Sequence, residues 1–307
     1  MTHTDPDPAL HEAAPHDHGL AHDLAAMDRL RVGRRRALLL LGGAGGAALL
    51  TGCGGGDGDG SDTVTVPTAT PTPTPSPTAT PTPTPTSSAT CTVPATETNG
   101  PYPADGTNQS SGLTSNALTS SGIIRSDIRS SFLGSSTTQA AGVQVDLTIT
   151  LVDANNSCTA LSGYAVYIWQ CDASGDYSLY NLPNESYLRG VQISDANGQV
   201  TFTTIFPGCY SGRYPHIHFE VFSSAANATS GRYAVLISQF ALPAEQCSAV
   251  YATSAYAASV TNYSRISLAT DTIFNDNSAA ELAVMTLQMS GDVTAGYSAT
   301  TTIGIAT

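Results

Sequence analysis

Two closely spaced histidines, His216 and His218, are the residues of this chain whose types and spacing best suit chemistry. From Ile217 onward apolar and polar residues alternate, which predicts a half-buried β-strand. Side chains two residues apart on a strand share a face, with origins about 7 Å apart, so both imidazoles can reach one small object. Five of the seven histidines of the chain lie within its first 22 residues, and this pair holds the other two. Because neutral imidazole is the commonest metal ligand, the pair predicts a metal site.

The residues that complete such a site decide its metal and its reaction, and two sets of residues are available. Glu220 shares the strand face of His216 and His218, and two histidines with one carboxylate would suit ferrous iron or zinc. The alternative is phenolate from Tyr210, which follows a Pro-Gly turn, and Tyr177, which follows a strand and a glycine turn. The chain has thirteen tyrosines, so position alone leaves the choice open.

The composition argues against a nucleic-acid partner and favours an extracellular β-rich protein. The chain of 307 residues has a net charge of −13 and contains no lysine. It therefore offers no basic patch for a phosphate backbone. Ser, Thr, Gly, Ala and Tyr are abundant, as is typical of exported β-rich domains.

Residues 1–53 are predicted to be an export signal. Arg34, Arg35 and Arg36 precede a Leu/Gly/Ala run that ends in Leu-Thr-Gly-Cys at Cys53. A twin arginine before a short apolar segment is typical of twin-arginine export, and the run is too short for a good transmembrane helix. Leu-Thr-Gly-Cys resembles a lipoprotein signal, in which the cysteine is acylated. We expect an exported cell-surface lipoprotein or extracellular protein whose only membrane contact is its lipid anchor; an uncleaved membrane anchor is the alternative.

The rest of the chain is predicted to be a linker followed by one domain. Residues 54–90 are rich in Gly, Thr and Pro and should form an extended spacer. Residues 91–307 contain short alternating segments separated by turn residues, which favours an all-β fold, a single β-sandwich with long loops. The predicted strands are 143–151, 165–169, 200–204, 233–240, 281–289 and 297–305, with a hairpin turn at 195–198 and a short helix within 241–258.

Five cysteines follow Cys53, namely Cys91, Cys158, Cys171, Cys209 and Cys247. Disulfides are expected in an oxidising compartment, although spacing does not determine their connectivity. We predict Cys158–Cys171 and Cys209–Cys247, with Cys91 unpaired. The absence of any Cys-x-x-Cys pattern argues against a thiolate metal site.

Short motifs occur in a fixed order between residues 97 and 240. They are Gly100-Pro101-Tyr102, Arg125-Ser126-Asp127-Ile128-Arg129, Leu161 to Ala173 with Tyr177, Leu188-Arg189-Gly190, Thr203 to Gly208, Tyr210 with Arg213 to His218, and Ser238-Gln239-Phe240. As an ordered set they resemble the intradiol ring-cleavage dioxygenases, the catechol and protocatechuate 3,4-dioxygenase family, and especially its secreted bacterial branch. Cys209 and Phe240-Ala241-Leu242 depart from that pattern, which bears on substrate preference.

The resemblance implies one non-haem Fe(III) per chain, held by two tyrosines and two histidines that match Tyr177, Tyr210, His216 and His218. It implies Arg213, Gln239 and Tyr210 as catalytic residues: the arginine stabilises charge that develops on the ring, and a tyrosine released by the substrate acts as a base. A catechol and O2 would be the small-molecule partners and a cis,cis-muconate-type compound the product.

Two other functions stay open at this point. One is a catalytically silent β-sandwich binding module on a stalk. The other is a ferrous or zinc enzyme that uses His216, His218 and Glu220. The sequence does not reveal which catechol is used, and it leaves a homo-oligomer open.

Overall fold

The structure is a computed structural model, and it describes residues 91–307. The predicted export signal at 1–53, with Cys53, and the linker at 54–90 lie outside the described residues and stay predictions. Within 91–307 no helix is long and apolar enough to cross a membrane.

The described residues form a mainly β structure, which confirms the all-β class. The strands are β1 Gln144–Asp153, β2 Thr159–Ala160, β3 Ala165–Trp169, β4 Arg189–Ile193, β5 Gln199–Ile205, β6 His216–Phe222, β7 Leu236–Ala241, β8 Gln288–Asp292 and β9 Gly296–Ile305. The helices are α1 Ala244–Tyr251, α2 Ala257–Tyr263 and α3 Ala279–Met285, and single 3₁₀ turns occur at Ala117–Thr119, Ala225–Asn227, Gly231–Tyr233 and Ser254–Tyr256.

The strands form two sheets. In the first, β1 pairs with β2 and β5 antiparallel and with β9 in parallel, and β9 pairs with β8. The second sheet has the order β4-β3-β6-β7 and is antiparallel throughout. Alternate residues of β1 are buried, and its inward side chains, such as Leu147 and Ile149, share one core with Ile217 and Phe219 of β6. Strand alternation thus places the odd-numbered apolar residues of β6 in the core and its histidines on the opposite face.

β6 is buried at all seven of its positions, so the prediction of a half-buried strand is wrong. One face of its sheet packs on the first sheet. The opposite face is covered by apolar residues from the segment before β1, among them Ala104, Leu118 and Ile123, which contact Tyr167 and Trp169 of β3. The histidines therefore lie inside the protein rather than on a solvated sheet face.

Several predicted boundaries change for identifiable reasons. A capping box between Ser278 and Glu281 begins α3, so the segment predicted as strand 281–289 is a helix followed by β8. The strand predicted at 233–240 begins only at Leu236, because Gly231–Tyr233 forms a 3₁₀ turn. The turn at 195–198 exists, but it connects β4 of the second sheet to β5 of the first and is therefore no hairpin of paired strands.

The predicted disulfides are wrong, because the structure joins Cys91 to Cys158 and leaves Cys171, Cys209 and Cys247 as buried thiols. Cys158 lies in the turn between β1 and β2, at the end of the first sheet. The segment that begins at Cys91 runs along the same sheet, where the N–H of Gly304 in β9 donates to the carbonyl oxygen of Thr92. The Cα atoms of Cys91 and Cys158 are therefore only 5.4 Å apart. Cys171, by contrast, follows β3 of the second sheet.

Candidate metal centre

The outer face of the second sheet carries the histidine pair, and two loops bring tyrosines to it. Tyr177 lies in the loop between β3 and β4, and Tyr210 lies in the loop between β5 and β6. The two loops meet at Gly175, which has φ +95°; a Cβ atom there would lie 3.2 Å from Cβ of Tyr210. Glycine is therefore needed at this contact for both its conformation and its lack of a side chain.

Four predicted site residues come together in this region. The hydroxyl oxygen of Tyr210 lies 3.1 Å from Nε2 of His216, and that nitrogen lies 3.1 Å from Nε2 of His218. The ring of Tyr177 has its centroid 5.9 Å from the ring of Tyr210 and 6.2 Å from the imidazole of His218. Tyr177 and both histidines are each 2% exposed, whereas Tyr210 is partly exposed.

The imidazole of His216 presents an electron pair to the cluster, and both imidazoles are uncharged. Nδ1–H of His216 donates to the carbonyl oxygen of Tyr214 at 2.6 Å, which leaves Nε2 of His216 unprotonated. Burial lowers the pKa of His216, and Arg213 lowers it further. Burial likewise lowers the pKa of His218, and His216 adds to that effect. Both rings are therefore neutral near pH 7, as a metal requires of them.

The two phenols differ in their contacts, because the hydroxyl of Tyr210 contacts His216 whereas that of Tyr177 does not. The hydroxyl oxygen of Tyr177 is buried without a hydrogen-bond partner, and so is Nδ1 of His218. Burial raises the pKa of Tyr177, and the neighbouring Tyr210 raises it further. Burial also raises the pKa of Tyr210 despite the opposing charge of Arg213. Phenolate would therefore form here only beside a strong positive charge, which a bound metal ion provides.

The donor set fits a single metal ion. Ligand atoms at about 2.0–2.1 Å from a common metal stand roughly 3 Å apart when they are neighbours in its coordination sphere. The spacing of 3.1 Å between adjacent donor atoms at this site matches that separation. Two oxygens that become anionic and two neutral nitrogens suit a highly charged hard cation better than a soft one.

Glu220 does not belong to this cluster, which corrects the alternative of a site built from His216, His218 and Glu220. Glu220 lies two residues after His218 in β6. Its side chain is fully buried and faces the carboxyl group of Asp105. Burial raises the pKa of Glu220, and the neighbouring carboxyl of Asp105 raises it further, which favours the protonated form of Glu220. In the described range no group of three or more His, Cys, Asp and Glu side chains is arranged to hold a metal ion.

Arg213 and Gln239 adjoin the cluster and are joined to each other. The guanidinium of Arg213 donates from Nη2 to the side-chain oxygen of Gln239 at 2.6 Å. Gln239 in turn donates from Nε2 to the carbonyl oxygen of Thr98 at 2.9 Å. Gln239 is opposite His218 in the register of β6 and β7, so it lies beside the histidine pair.

A further residue, Asp271, was not found by sequence reasoning. Nε of Arg213 donates to its Oδ2 at 2.9 Å in a salt bridge that is almost entirely buried. Burial alone would raise the pKa of Asp271, but the Arg213 guanidinium and backbone N–H donors lower it overall. Asp271 lies in the loop between α2 and α3, 58 residues from Arg213, and no local pattern distinguishes it from other turn aspartates.

Aromatic and glycine residues enclose the centre. Trp169 stacks on His218 with ring centroids 4.8 Å apart and planes 3° from parallel. Trp169, the single tryptophan of the chain, is fully buried. Gly100 has φ +70°, and a Cβ atom there would lie 3.1 Å from Cε1 of His218. Tyr102 packs on the ring of Tyr177 with centroids 5.0 Å apart.

Solved structures similar to this chain were found by comparison of folds. They are dioxygenases, among them an intradiol ring-cleavage dioxygenase. The enzyme from Tetranychus urticae matches with TM-score 0.48 and 27% identity, over 60% of this chain and 87% of that one. The dioxygenase domain of a carbohydrate-binding fusion from Streptomyces sp. SirexAA-E matches with TM-score 0.38 and 21% identity, over 61% of this chain and 96% of that one. 3-Chlorocatechol 1,2-dioxygenase from Rhodococcus opacus 1CP matches with TM-score 0.40 and 16% identity, over 68% and 70%. No protein-family model and no curated protein sequence matches the chain.

Proposed function

We propose that this protein is a non-haem Fe(III) intradiol dioxygenase that cleaves a catecholic ring with O2 to a cis,cis-muconate-type product. The observation that carries the proposal is the convergence of four donor groups. Three of their donor atoms form a chain with 3.1 Å between successive atoms, and the fourth, the hydroxyl of Tyr177, is buried beside them without a partner. One ferric ion per chain would be held by Tyr177, Tyr210, His216 and His218.

The donor set supports the ferric state in particular. Neutral imidazoles cannot compensate a trivalent charge, whereas two phenolates offset much of it. When bound, the ferric ion supplies the Lewis acidity that takes up both catechol oxygens and makes the ring reactive toward O2. His216 and His218 act as neutral ligands, and the stacked Trp169 holds the ring of His218 in position.

Arg213 has the position of a charge-stabilising group. Two of its three guanidinium nitrogens, Nε and Nη2, donate to Asp271 and Gln239. The guanidinium is thus oriented before the substrate arrives, and its charge would stabilise negative charge that develops on the ring. Preorganised donors of this kind typically contribute about 10²–10³ to kcat.

Tyr210 is the ligand best suited to move a proton. It is the most exposed of the four donors, and its hydroxyl oxygen contacts Nε2 of His216. As a phenolate, its oxygen would be placed to take the proton from a catechol hydroxyl. Gln239 has a supporting role in this scheme, because both ends of its amide are already bonded within the protein.

A silent binding module accounts less well for the same residues. A buried polar group without a partner costs about 1–3 kcal/mol, and the hydroxyl of Tyr177 is such a group, which a metal ion bound by this cluster would satisfy. A module that binds no metal gains nothing in return for that cost. A ferrous or zinc enzyme of the two-histidine-one-carboxylate kind is also disfavoured, because Glu220 does not belong to the cluster and supplies it with no carboxylate.

We further propose that the protein works outside the cytoplasm as a member of the secreted bacterial branch of this group, exported by the twin-arginine route and anchored through Cys53. The Cys91–Cys158 disulfide supports an oxidising compartment. Residues 54–90 would then serve as a spacer between the anchor and the domain at 91–307.

The test is the visible spectrum of the ferric-loaded protein, recorded without substrate, with catechol under anaerobic conditions, and after admission of O2. We expect a red band from phenolate-to-iron charge transfer that shifts when catechol binds and then bleaches as muconate absorbance grows. Tyr177→Phe should weaken and shift the band. Tyr164→Phe should leave it unchanged, because Tyr164 immediately precedes β3, whereas Trp169, which stacks on His218, ends that strand. A colourless wild-type protein that retains no ferric ion would refute the enzymatic proposal in favour of the silent module.

A further inference from the structure

The carboxylate of Asp271 accepts four hydrogen bonds in the interior of the protein. Oδ2 accepts from Nε of Arg213 at 2.9 Å and from the backbone N–H of Tyr214 at 2.6 Å. Oδ1 accepts from the N–H groups of Ile273 and Phe274 at 2.8 and 3.1 Å. Asp271 itself has no exposed surface. Each oxygen is therefore held by two donors, and the group has a single defined orientation.

Two separate connections lead from this carboxylate to the metal centre. The first runs through the guanidinium of Arg213 to Gln239, which lies opposite His218 in the sheet. The second runs through the backbone of Tyr214, whose N–H is bound by Asp271 and whose carbonyl oxygen accepts from Nδ1–H of His216. A shift of this one carboxylate would therefore move both the guanidinium of Arg213 and the imidazole of His216.

The charge of Asp271 matters as well as its shape. Arg213 is only 2% exposed, and a buried guanidinium requires a counter-charge. Among the described residues Asp271 is the carboxylate that pairs with it. Arg213 and the backbone donors outweigh the effect of burial and keep the pKa of Asp271 below its ordinary value, so the group is ionised near neutral pH.

We infer that Asp271 is a positioning residue of the reaction, which orients Arg213 toward the substrate ring and, through Tyr214, orients the imidazole of His216 toward the metal. The inference rests on the proposed function, because the ring and the metal are those of the dioxygenase reaction. It assigns a role to a loop that lies outside the predicted motifs.

The experiment compares Asp271→Asn with Asp292→Asn in the ferric-loaded full chain. Asp292 is a matched control, since its Oδ1 accepts from the N–H groups two and three residues ahead, as Oδ1 of Asp271 does, but it is the last residue of β8. For Asp271→Asn we expect kcat to fall about 30- to 100-fold with KM changed less than about threefold. We expect iron release to a chelator to accelerate about tenfold. Asp292→Asn should change neither quantity by more than about twofold.

A double variant keeps the test decisive if Asp271→Asn folds poorly with an unpaired buried guanidinium. Arg213→Gln combined with Asp271→Asn removes both charges. If Asp271 acts through Arg213, the double variant should have the kcat of Arg213→Gln alone within about threefold, since the effects of residues that act as a unit are not additive. Iron release should still be faster than in Arg213→Gln, because the connection through Tyr214 is lost as well. Losses of kcat that multiply, or unchanged iron release, would overturn the inference.

A third measurement separates this inference from the proposed function. In the metal-free protein the Nδ1 proton of His216 is bonded to the carbonyl of Tyr214 and should give a slowly exchanging downfield proton resonance. Asp271→Asn should speed its exchange about tenfold or more, and Asp292→Asn should not. If the wild type binds no iron, the dioxygenase proposal fails, while this resonance still decides whether Asp271 positions His216.

Discussion

Removing the hydroxyl of Tyr177 should stabilise the metal-free protein while it weakens metal binding. The hydroxyl oxygen is buried and has no hydrogen-bond partner, and the residue is 2% exposed. An unpartnered buried hydroxyl costs about 1–3 kcal/mol, and Tyr177→Phe removes that cost without changing the shape of the ring. The nearby hydroxyl of Tyr210 offsets part of that cost. We therefore expect Tyr177→Phe to raise the free energy of unfolding by about 1 kcal/mol, the lower end of the range. For a domain of this size that gain corresponds to about 2–4 °C in Tm.

With ferric ion bound, the wild type should become more stable than Tyr177→Phe, which reverses their order of stability in the metal-free state. A ligand present at about 100 times its Kd stabilises the folded state by about 2.7 kcal/mol. The wild type should receive this stabilisation, and Tyr177→Phe should receive much less because it lacks one anionic ligand. Thermal unfolding followed by circular dichroism, with and without buffered ferric citrate, measures both orders.

Tyr251→Phe is the matched control for this prediction. Tyr251 is also buried, but its hydroxyl donates to the carbonyl oxygen of Pro207 at 2.9 Å. Its removal leaves that carbonyl unpaired and should lower the free energy of unfolding by about 1–3 kcal/mol with or without iron. If Tyr177→Phe lowers the Tm of the metal-free protein as Tyr251→Phe does, Tyr177 is an ordinary structural tyrosine and our account of its position is refuted.

Three further predictions follow from single contacts. Glu220→Gln should leave ferric binding within about threefold of wild type in a chelator titration, because Glu220 faces Asp105 rather than the histidine pair and burial raises its pKa, which favours the protonated carboxyl; a loss of iron would show that Glu220 is a ligand. Gly175→Ala should lower the free energy of unfolding by about 1–2 kcal/mol and shift the charge-transfer band, because the new Cβ would push against Tyr210 from a backbone with φ +95°; an unshifted band would contradict this. Serine in place of Cys91 and Cys158 should cost about 4 kcal/mol in denaturant unfolding, from the loop of 67 residues that the disulfide closes, and equal midpoints for the two proteins would show that the bridge does not form.

The short-range features of the fold were predictable from the sequence. The alternation in β1 and β9 and the compact run of β3 identify strands within a few residues, because the two faces of a strand differ in burial. The same period places His216 and His218 on one face. The order of the motifs led to Tyr177, Tyr210, Arg213 and Gln239, and the structure brings these residues to the histidine pair, although their role as iron ligands and catalytic groups stays a prediction. The export signal and lipid anchor also stay predictions.

What lies far apart in sequence was decided by the tertiary structure. Glu220 shares the strand face of the histidines, yet packing of the segment before β1 brings Asp105 to it and removes it from the centre. Cys91 reaches Cys158 because its segment runs along β9. Asp271 meets Arg213 only when the loop between α2 and α3 folds onto the second sheet. Local periodicity reports which way a side chain faces, whereas its partner depends on which distant segment packs against that face, and no pattern within one strand or loop contains that information.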